Sequence, residues 1–280
     1  MDTLENMKQA IAYIEDNLEH GIEYEKIAQI ALCSPYHFQR MFGFLIGVPL
    51  SEYIRRRRLT LAAFDLQNSN EKIIDIALKY GYQSPDSFSR AFLAMHGIIP
   101  SKAREKGISL KAYPRITFSL SLKGVVEMNY RIEQKDPFTI VGIKQRFSHI
   151  EGLGESIGKM WGETPAETIG QIASLGDGLV GVYSGMYDDN TTDYYIAAIT
   201  KKDCPQMLSS LKVAAHTWAV FEITGPMPTA MAEVWGRIFS EWFPTSGYEH
   251  AEAPELEWYS NGDMSSSDYK SEIWIPVVKK

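Results

Sequence analysis

Apolar positions recur at helical spacing through the first hundred residues. Met7, Ala10, Ile11, Ile14 and Leu18 predict one amphipathic helix, which Gly21 ends. Ile27, Ala28, Ile30 and Ala31 predict a short second helix. Leu32-Cys33 then turns the chain, Ser34 caps a third helix and Pro35 takes its first position. That helix runs to about Leu45, with Phe38, Met41, Phe42 and Leu45 on its inner side. The same syntax returns after Asn70. Ile73, Ile74, Ala77 and Leu78 form a short helix, Gly81-Tyr82-Gln83 turns, Ser84 caps, and Phe88, Ala91, Phe92 and Met95 face inward. The pattern S-P-x-x-F-x-R-x-F, with a glycine at Gly47 and again at Gly97, therefore occurs twice, so one unit is built twice. The second turn is one residue longer, because Ala28 precedes Ser34 by six positions and Ala77 precedes Ser84 by seven.

A short helix, a tight turn and a capped second helix make a helix-turn-helix, whose second helix enters the major groove. Between the two copies a helix is predicted over residues 49–67. At 1.5 Å per residue it spans roughly 28 Å, against about 34 Å for one turn of B-DNA. Such a connector sets two recognition helices in successive major-groove segments. The expected partner is double-stranded DNA with an asymmetric site read by one chain.

From Met128 the period changes. Tyr130-Arg131-Ile132-Glu133 and residues 138–143 read as strands, followed by a helix over 153–173. Residues 178–185, 194–200 and 214–224 are strand-like, with a turn at Asp188-Asp189-Asn190. Gly225-Pro226-Met227-Pro228 opens a helix to about Phe243, and residues 255–259 and 270–278 are the last strands. The order strand-helix-strand-strand appears twice, and Met160-Trp161-Gly162-Glu163 matches Val234-Trp235-Gly236-Arg237. The expected fold is an all-α N-terminal domain with two helix-turn-helix units joined by a linker helix, then an α+β C-terminal domain of two such repeats. A groove between repeats is a common place for a ligand. In the last strand Ile273, Ile275 and Val277 share the face that packs on helices, while Glu272, Trp274 and Pro276 share the other. A carboxylate beside a tryptophan makes a cation site by charge and cation–π attraction. Glu222 takes that role if the faces are reversed.

The chain has 280 residues, long enough for two cores. Its net charge of -7 argues against a simple nucleic-acid binder, but the average hides an asymmetry. Residues 1–112 hold 14 basic and 13 acidic residues, and residues 113–280 hold 14 and 22. Within 40–106 the count is 11 basic to 6 acidic. The expected division is a DNA-binding domain over 1–106, a linker over 107–126 and an effector domain over 127–280. Cys33 and Cys204 are the only cysteines, too few for a disulfide framework or a cysteine-rich metal site. No apolar run reaches membrane-spanning length and no signal pattern opens the chain, so a cytoplasmic protein without a membrane partner is expected. No cofactor or metal site is expected.

The tandem pattern, with Ile54-Arg55-x-x-Arg58-Leu59 between the copies and Gly81-Tyr82 before the second cap, resembles the AraC/XylS transcription regulators. The resemblance covers about residues 5–106. It implies base contacts from Tyr36, Gln39 and Arg40 in the first recognition helix and from Asp86, Ser87, Ser89 and Arg90 in the second. Arginine pairs with guanine and glutamine with adenine. Asp86 weakens the second helix's share, because it repels phosphate unless it accepts from a cytosine. One or two residues of the run Arg55 to Arg58 are expected on phosphates, namely Arg55 and Arg58, with the others paired to carboxylates.

Met128-x-Tyr130-x-Ile132, Phe138-x-x-Val141-Gly142, the two tryptophan-bearing helices and Ser271-Glu272-Ile273-x-Ile275-Pro276-Val277 are similar to GyrI-like ligand-binding domains. That resemblance implies an acid in an aromatic pocket that meets hydrophobic or cationic small molecules. Glu272 sits at the matching motif, with Trp161, Tyr183, Phe221, Trp235 and Trp274 as wall candidates. The expected function is a sequence-specific transcription regulator whose effector alters DNA engagement or contact with RNA polymerase. The alternatives are a small-molecule hydrolase with Glu272 as general base, and a protein-contact module without ligand. No nucleophile–base pair, phosphate loop or metal set is present in the sequence, so the non-enzyme reading leads.

Overall fold

The computed structural model describes residues 3–105, 107–117, 127–148, 153–185 and 191–280. The turn expected at Asp188-Asp189-Asn190 and the linker residues 118–126 lie outside the described residues. The chain divides into two compact units, one of Met1–Gln39 and Leu50–Leu122, the other of Arg40–Pro49 and Lys123–Lys280.

The first unit is helical: α1 (Thr3–Asp16), α2 (Tyr24–Ala31), the start of α3 (Pro35–Ile46), α4 (Leu50–Asn68), α5 (Ile73–Lys79) and α6 (Pro85–His96), then a 3-10 turn at Lys102–Arg104. Most of the apolar positions read from the sequence are buried, Ile11 and Ile14 in α1, Ile27 and Ala28 in α2, and Phe38 in α3, but Leu45, expected on the inner side of α3, is exposed. In the second copy Phe88, Phe92 and Met95 pack with Ile76 and Ala77 of α5, Tyr80 just beyond it, and Leu59, Ala62 and Leu66 of α4. Asp65 ties α4 to α5 by accepting from Lys79 Nζ at 2.9 Å and Tyr80 OH at 2.8 Å.

The two turns are built alike. After α2, Cys33 N–H returns to Ala28 O at 3.0 Å; after α5, Tyr82 N–H returns to Ala77 O at 2.9 Å. The extra residue of the second turn is thus Gln83, inserted between the returning N–H and the cap. Ser34 and Ser84 both accept the backbone N–H three residues on, each at 3.2 Å. Each turn passes through the left-handed region, at Gly81 (φ 81°) and at Leu32 (φ 55°). A side chain there costs roughly 1–2 kcal/mol, and glycine also loses more entropy on folding. Leu32→Gly is therefore expected to raise stability by about 0.5–1 kcal/mol, read as a higher urea midpoint at 222 nm.

The arginine run winds around α4. Arg55 and Arg56 both grip buried Glu52, and Arg57 forks onto Glu15 of α1. Arg58 donates to Leu18 O and His20 O, both at 2.8 Å, closing the chain after α1. The expectation of Arg58 on a phosphate gives way to this structural role, because successive helix positions about 100° apart leave it facing α1's end rather than solvent.

The second unit is built on a nine-stranded sheet, β1 (Tyr130–Lys135), β2 (Phe138–Ser148), β3 (Leu179–Ser184), β4 (Thr191–Thr200), β5 (Ser209–Val213), β6 (His216–Thr224), β7 (Tyr248–His250), β8 (Glu255–Tyr259) and β9 (Lys270–Lys279). The order is β1-β6-β9-β8-β3-β4-β2-β5, with β7 on β9. The central run β6-β9-β8-β3-β4-β2 is a palindrome of the two repeats, with the β8–β3 pair on the pseudo-twofold axis. Every described pairing is antiparallel. The helix expected over 153–173 is two, α7 (Leu153–Glu163) and α8 (Ala166–Ala173), because Pro165 lacks an N–H and disfavours a helical residue before it. The later helix is α9 (Thr229–Arg237), continued by a π turn at Ile238–Trp242. β5 and β7 are short strands that the periodicity did not single out.

Ile273, Ile275 and Val277 are buried on the helix side, as their alternation requires. The opposite face carries a second core with Val180, Val182, Tyr195, Trp218 and Leu256, against which Trp274 packs. Phe138 of β2 and Trp218 of β6 stand 6.0 Å apart although four strands separate theirs. The sheet therefore curls until its two flanks meet.

Candidate functional site

On α6, Asp86 and Arg90 are exposed, and Ser89 is half-buried. Ser87 belongs to the cap: its N–H donates to Ser84 Oγ and its hydroxyl to Ser84 O at 2.8 Å. On α3, Tyr36 and Gln39 are half-buried, and Gln39 Nε2 reaches Pro35 O at 3.4 Å. His37 is buried. Arg55 holds Glu52 while remaining partly exposed.

Within the second unit, the expected acid and its expected aromatic wall do not converge. Glu272 and Trp274 point to the face opposite the helices. Their cations come from the chain itself: Arg131 Nη2 meets Glu272 at 3.0 Å, and Lys135 Nζ sits 4.1 Å from the Trp274 ring centre. Glu222 is likewise paired with Arg131, at 3.1 Å. Phe221 is on the helix side but is core, edge-on to Trp242 at 5.0 Å.

Trp161, Tyr183 and Trp235 do converge, around a different carboxylate. Glu257 lies at the centre of β8, paired with Gly181 of β3 on the pseudo-twofold axis. Its Oε1 accepts from Trp235 Nε1 at 2.7 Å and Tyr183 OH at 3.4 Å. Its Oε2 accepts from Tyr259 OH at 2.8 Å and Tyr194 OH at 3.4 Å. Trp161 Nε1 donates to Tyr194 OH at 3.0 Å and its ring stands edge-on to Tyr259 at 5.2 Å. The matched tryptophans of α7 and α9 thus approach one acid from the two repeats. Gly181 is required here, since a Cβ would collide with the Tyr194 hydroxyl and stand 3.1 Å from Glu257 Oε2. Glu257 is buried, and no ion pair joins it among the described residues. Burial pushes its carboxyl above the usual range, against the pull of the four donors. A buried acid with no charged partner and an aromatic surround is built to take a cation.

Two residues earlier on the same face, Glu255 is handled differently. It is buried and accepts from His250 Nε2 at 2.6 Å and from Arg40 Nε at 3.0 Å, with Arg40 Nη2 on its second oxygen. Burial alone would raise its carboxyl; the Arg40 charge, then His250, hold it at about 2. Phe44, one turn after Arg40, stacks on Trp235 at 5.1 Å and on Phe239 at 4.4 Å.

Sequence reasoning missed Glu257, Tyr194, Tyr259, Glu255 and His250. A signal was present: Glu255-Leu256-Glu257-Trp258-Tyr259 alternates two acids and a tyrosine against two large apolar residues, so the acids share a face. Alternation alone does not say that this face lies under the helices.

Residues 128–278 match the GyrI-like small molecule binding domain, and residues 27–106 match a helix-turn-helix domain. Over 98 residues the chain is 44% identical to the HTH-type transcriptional activator AarP of Providencia stuartii, covering 35% of this chain and 73% of that one. Over 92 residues it is 39% identical to the multiple antibiotic resistance protein MarA of Salmonella typhimurium, covering 33% and 72%. The structure of SAV2435 bound to tetraphenylphosphonium superposes on 54% of this chain and 94% of its own, with a TM-score of 0.50 and 24% identity. No described helix is long and apolar enough to cross a membrane.

Proposed function

Because the chain belongs to the regulators that join an AraC-type helix-turn-helix DNA-binding domain to a GyrI-like small molecule binding domain, we propose that it is a transcription regulator whose effector is a hydrophobic cation seated on Glu257. The boundaries we assign are 1–106 for DNA binding, 107–126 for the linker and 127–280 for the effector domain. The carrying observation is the buried carboxylate that no ion pair joins among the described residues, ringed by Trp235, Tyr183, Tyr194 and Tyr259. The acidic balance of residues 113–280 favours a cation at long range. SAV2435, whose fold the second unit shares, was solved with such a cation, tetraphenylphosphonium. DNA would be read by Tyr36, Gln39 and Arg40 and by Asp86, Ser89 and Arg90, with Arg55 near the backbone, at an asymmetric site in two successive major-groove segments. The relatives of the first unit are regulators, which favours a receptor over a hydrolase.

Titrating the full chain with tetraphenylphosphonium is expected to quench tryptophan emission with a 1:1 endpoint, since Trp161 and Trp235 border the acid. Absence of quenching together with absence of calorimetric heat would sink the effector reading. Turnover of small electrophiles, followed by product analysis, would replace it with the hydrolase.

A further inference from the structure

Three carboxylates of the second unit met above, Glu272, Glu222 and Glu255, are neutralised by the chain's own cations, and Glu255 is the unusual case. Its partner, Arg40, is a residue the first recognition helix would use on a base. The guanidinium lies along the carboxylate, Nε on one oxygen and Nη2 on the other, which is the fork geometry that also fits guanine O6 and N7. Both side chains are nearly removed from solvent, with 11% and 2% exposure. Phe44 carries the same segment against Trp235, the residue that donates to Glu257. The Arg40 guanidinium also lies 5.6 Å from the Phe44 ring centre.

We propose that Arg40 is held beside the effector site, so that the unliganded chain sequesters one of its own base-reading residues on Glu255. One guanidinium cannot fork onto Glu255 and onto a guanine at once. An effector on Glu257 would sit about 7 Å along the strand from Glu255, bringing a second positive charge beside Arg40 and rearranging Trp235 under Phe44. Both effects weaken the clasp. Effector and DNA then favour the same state, the one in which Arg40 has left Glu255, and each strengthens the other's binding by the same factor. The inference rests on Arg40 being a base contact, and its coupling to effector rests on the Glu257 reading.

The test uses the full chain and a labelled duplex selected by it from a random-sequence pool, with binding followed by anisotropy. Glu255→Gln keeps the shape and removes the charge that holds Arg40. Without any cation, E255Q is expected to bind the duplex on the order of tenfold more tightly than the unmodified chain. The gain is expected to vanish in the double variant with Arg40→Ala. On the unmodified chain, saturating tetraphenylphosphonium is expected to tighten DNA binding by a similar factor, and to have little effect on E255Q. Equal affinities of E255Q and the unmodified chain overturn the proposal, as does a gain that survives Arg40→Ala. Should E255Q fail to fold by circular dichroism, Glu255→Asp retracts the carboxylate while keeping its charge and is read the same way. If tetraphenylphosphonium binds nowhere, the effector reading fails alone, and the comparison of E255Q with and without Arg40 still decides the sequestration.

Discussion

Glu257→Gln is expected to weaken tetraphenylphosphonium binding roughly a hundredfold, about 2.7 kcal/mol. The amide keeps the shape of the acid: its oxygen can still accept from Trp235, and its NH2 can donate to the Tyr259 hydroxyl oxygen, so the aromatic wall survives. What disappears is the charge in a site where burial keeps water from screening it. The residual affinity is then the cation–π and contact contribution of the rings. Isothermal titration of the two full-length proteins decides the matter, and equal affinities would remove Glu257 from the site. The pH dependence carries the same assignment. Burial raises the Glu257 carboxyl above the ordinary glutamate range, opposed by the donors Trp235, Tyr259, Tyr183 and Tyr194. As pH falls through that raised value the acid takes a proton and ceases to balance a cation. Affinity should therefore decline on acidification, beginning above the pH at which an ordinary glutamate titrates, while E257Q should show no such decline. The sign for stability is opposite. A raised folded pKa favours the protonated form, so the unliganded site costs stability as pH rises through the titration, and a bound cation offsets that cost.

Arg57→Met should destabilise the first unit by roughly 3–5 kcal/mol. Arg57 donates Nε to Glu15 Oε1 at 2.9 Å, Nη2 to Oε2 at 2.7 Å and Nη1 to Tyr113 O at 2.7 Å. Tyr53 OH adds a fourth bond, to Glu15 Oε1 at 2.6 Å, and accepts from Ile116 N–H at 3.3 Å. The network joins α1 to α4 and to the segment that leaves the first unit. Removing the guanidinium strands a buried carboxylate. Changing both partners, Glu15→Leu with Arg57→Met, leaves no charge behind and should recover most of the loss. All six tryptophans lie at or beyond Trp161, so their emission follows the second unit while ellipticity at 222 nm is dominated by helix loss. The urea midpoint at 222 nm should fall for the single variant and largely return for the double; a single variant as stable as the parent would disprove the network's role. Burial by itself would raise the Glu15 carboxyl, and the Arg57 and Tyr53 bonds bring it below its usual value. Its contribution is therefore present above the unfolded pKa and is lost as pH falls through the folded one.

Much of this molecule is written in local pattern. Ser34 and Ser84 cap, Phe38, Phe42, Phe88 and Phe92 turn inward, and the repeat of turn and cap is visible in a single reading because each depends on neighbours three or four residues away. In the sheet, alternation along β9 correctly put Ile273, Ile275 and Val277 together under the helices, and the paired Trp161 and Trp235 announced the two-fold build. The site was half legible for the same reason. Alternation says which residues share a face, so Trp161, Tyr183 and Trp235 were reachable as candidates. It does not say which of several acids shares their face without a cation.

That last choice is a matter of charge balance across long separations. Glu272 meets Arg131, which enters from β1, and Trp274 meets Lys135 from the same strand; Glu255 meets Arg40, 215 positions away in the chain. Among the described residues, Glu257 meets only neutral donors, from α9, β3, β4 and its own strand. The sequence alone established the elements, the two repeats and the kinds of residue a cation site needs, since these follow from backbone periods and side-chain chemistry. Tertiary structure alone decided which acid is left uncompensated, because a Coulomb partner is chosen by distance in space, and the strand order that sets those distances is not encoded in any local period.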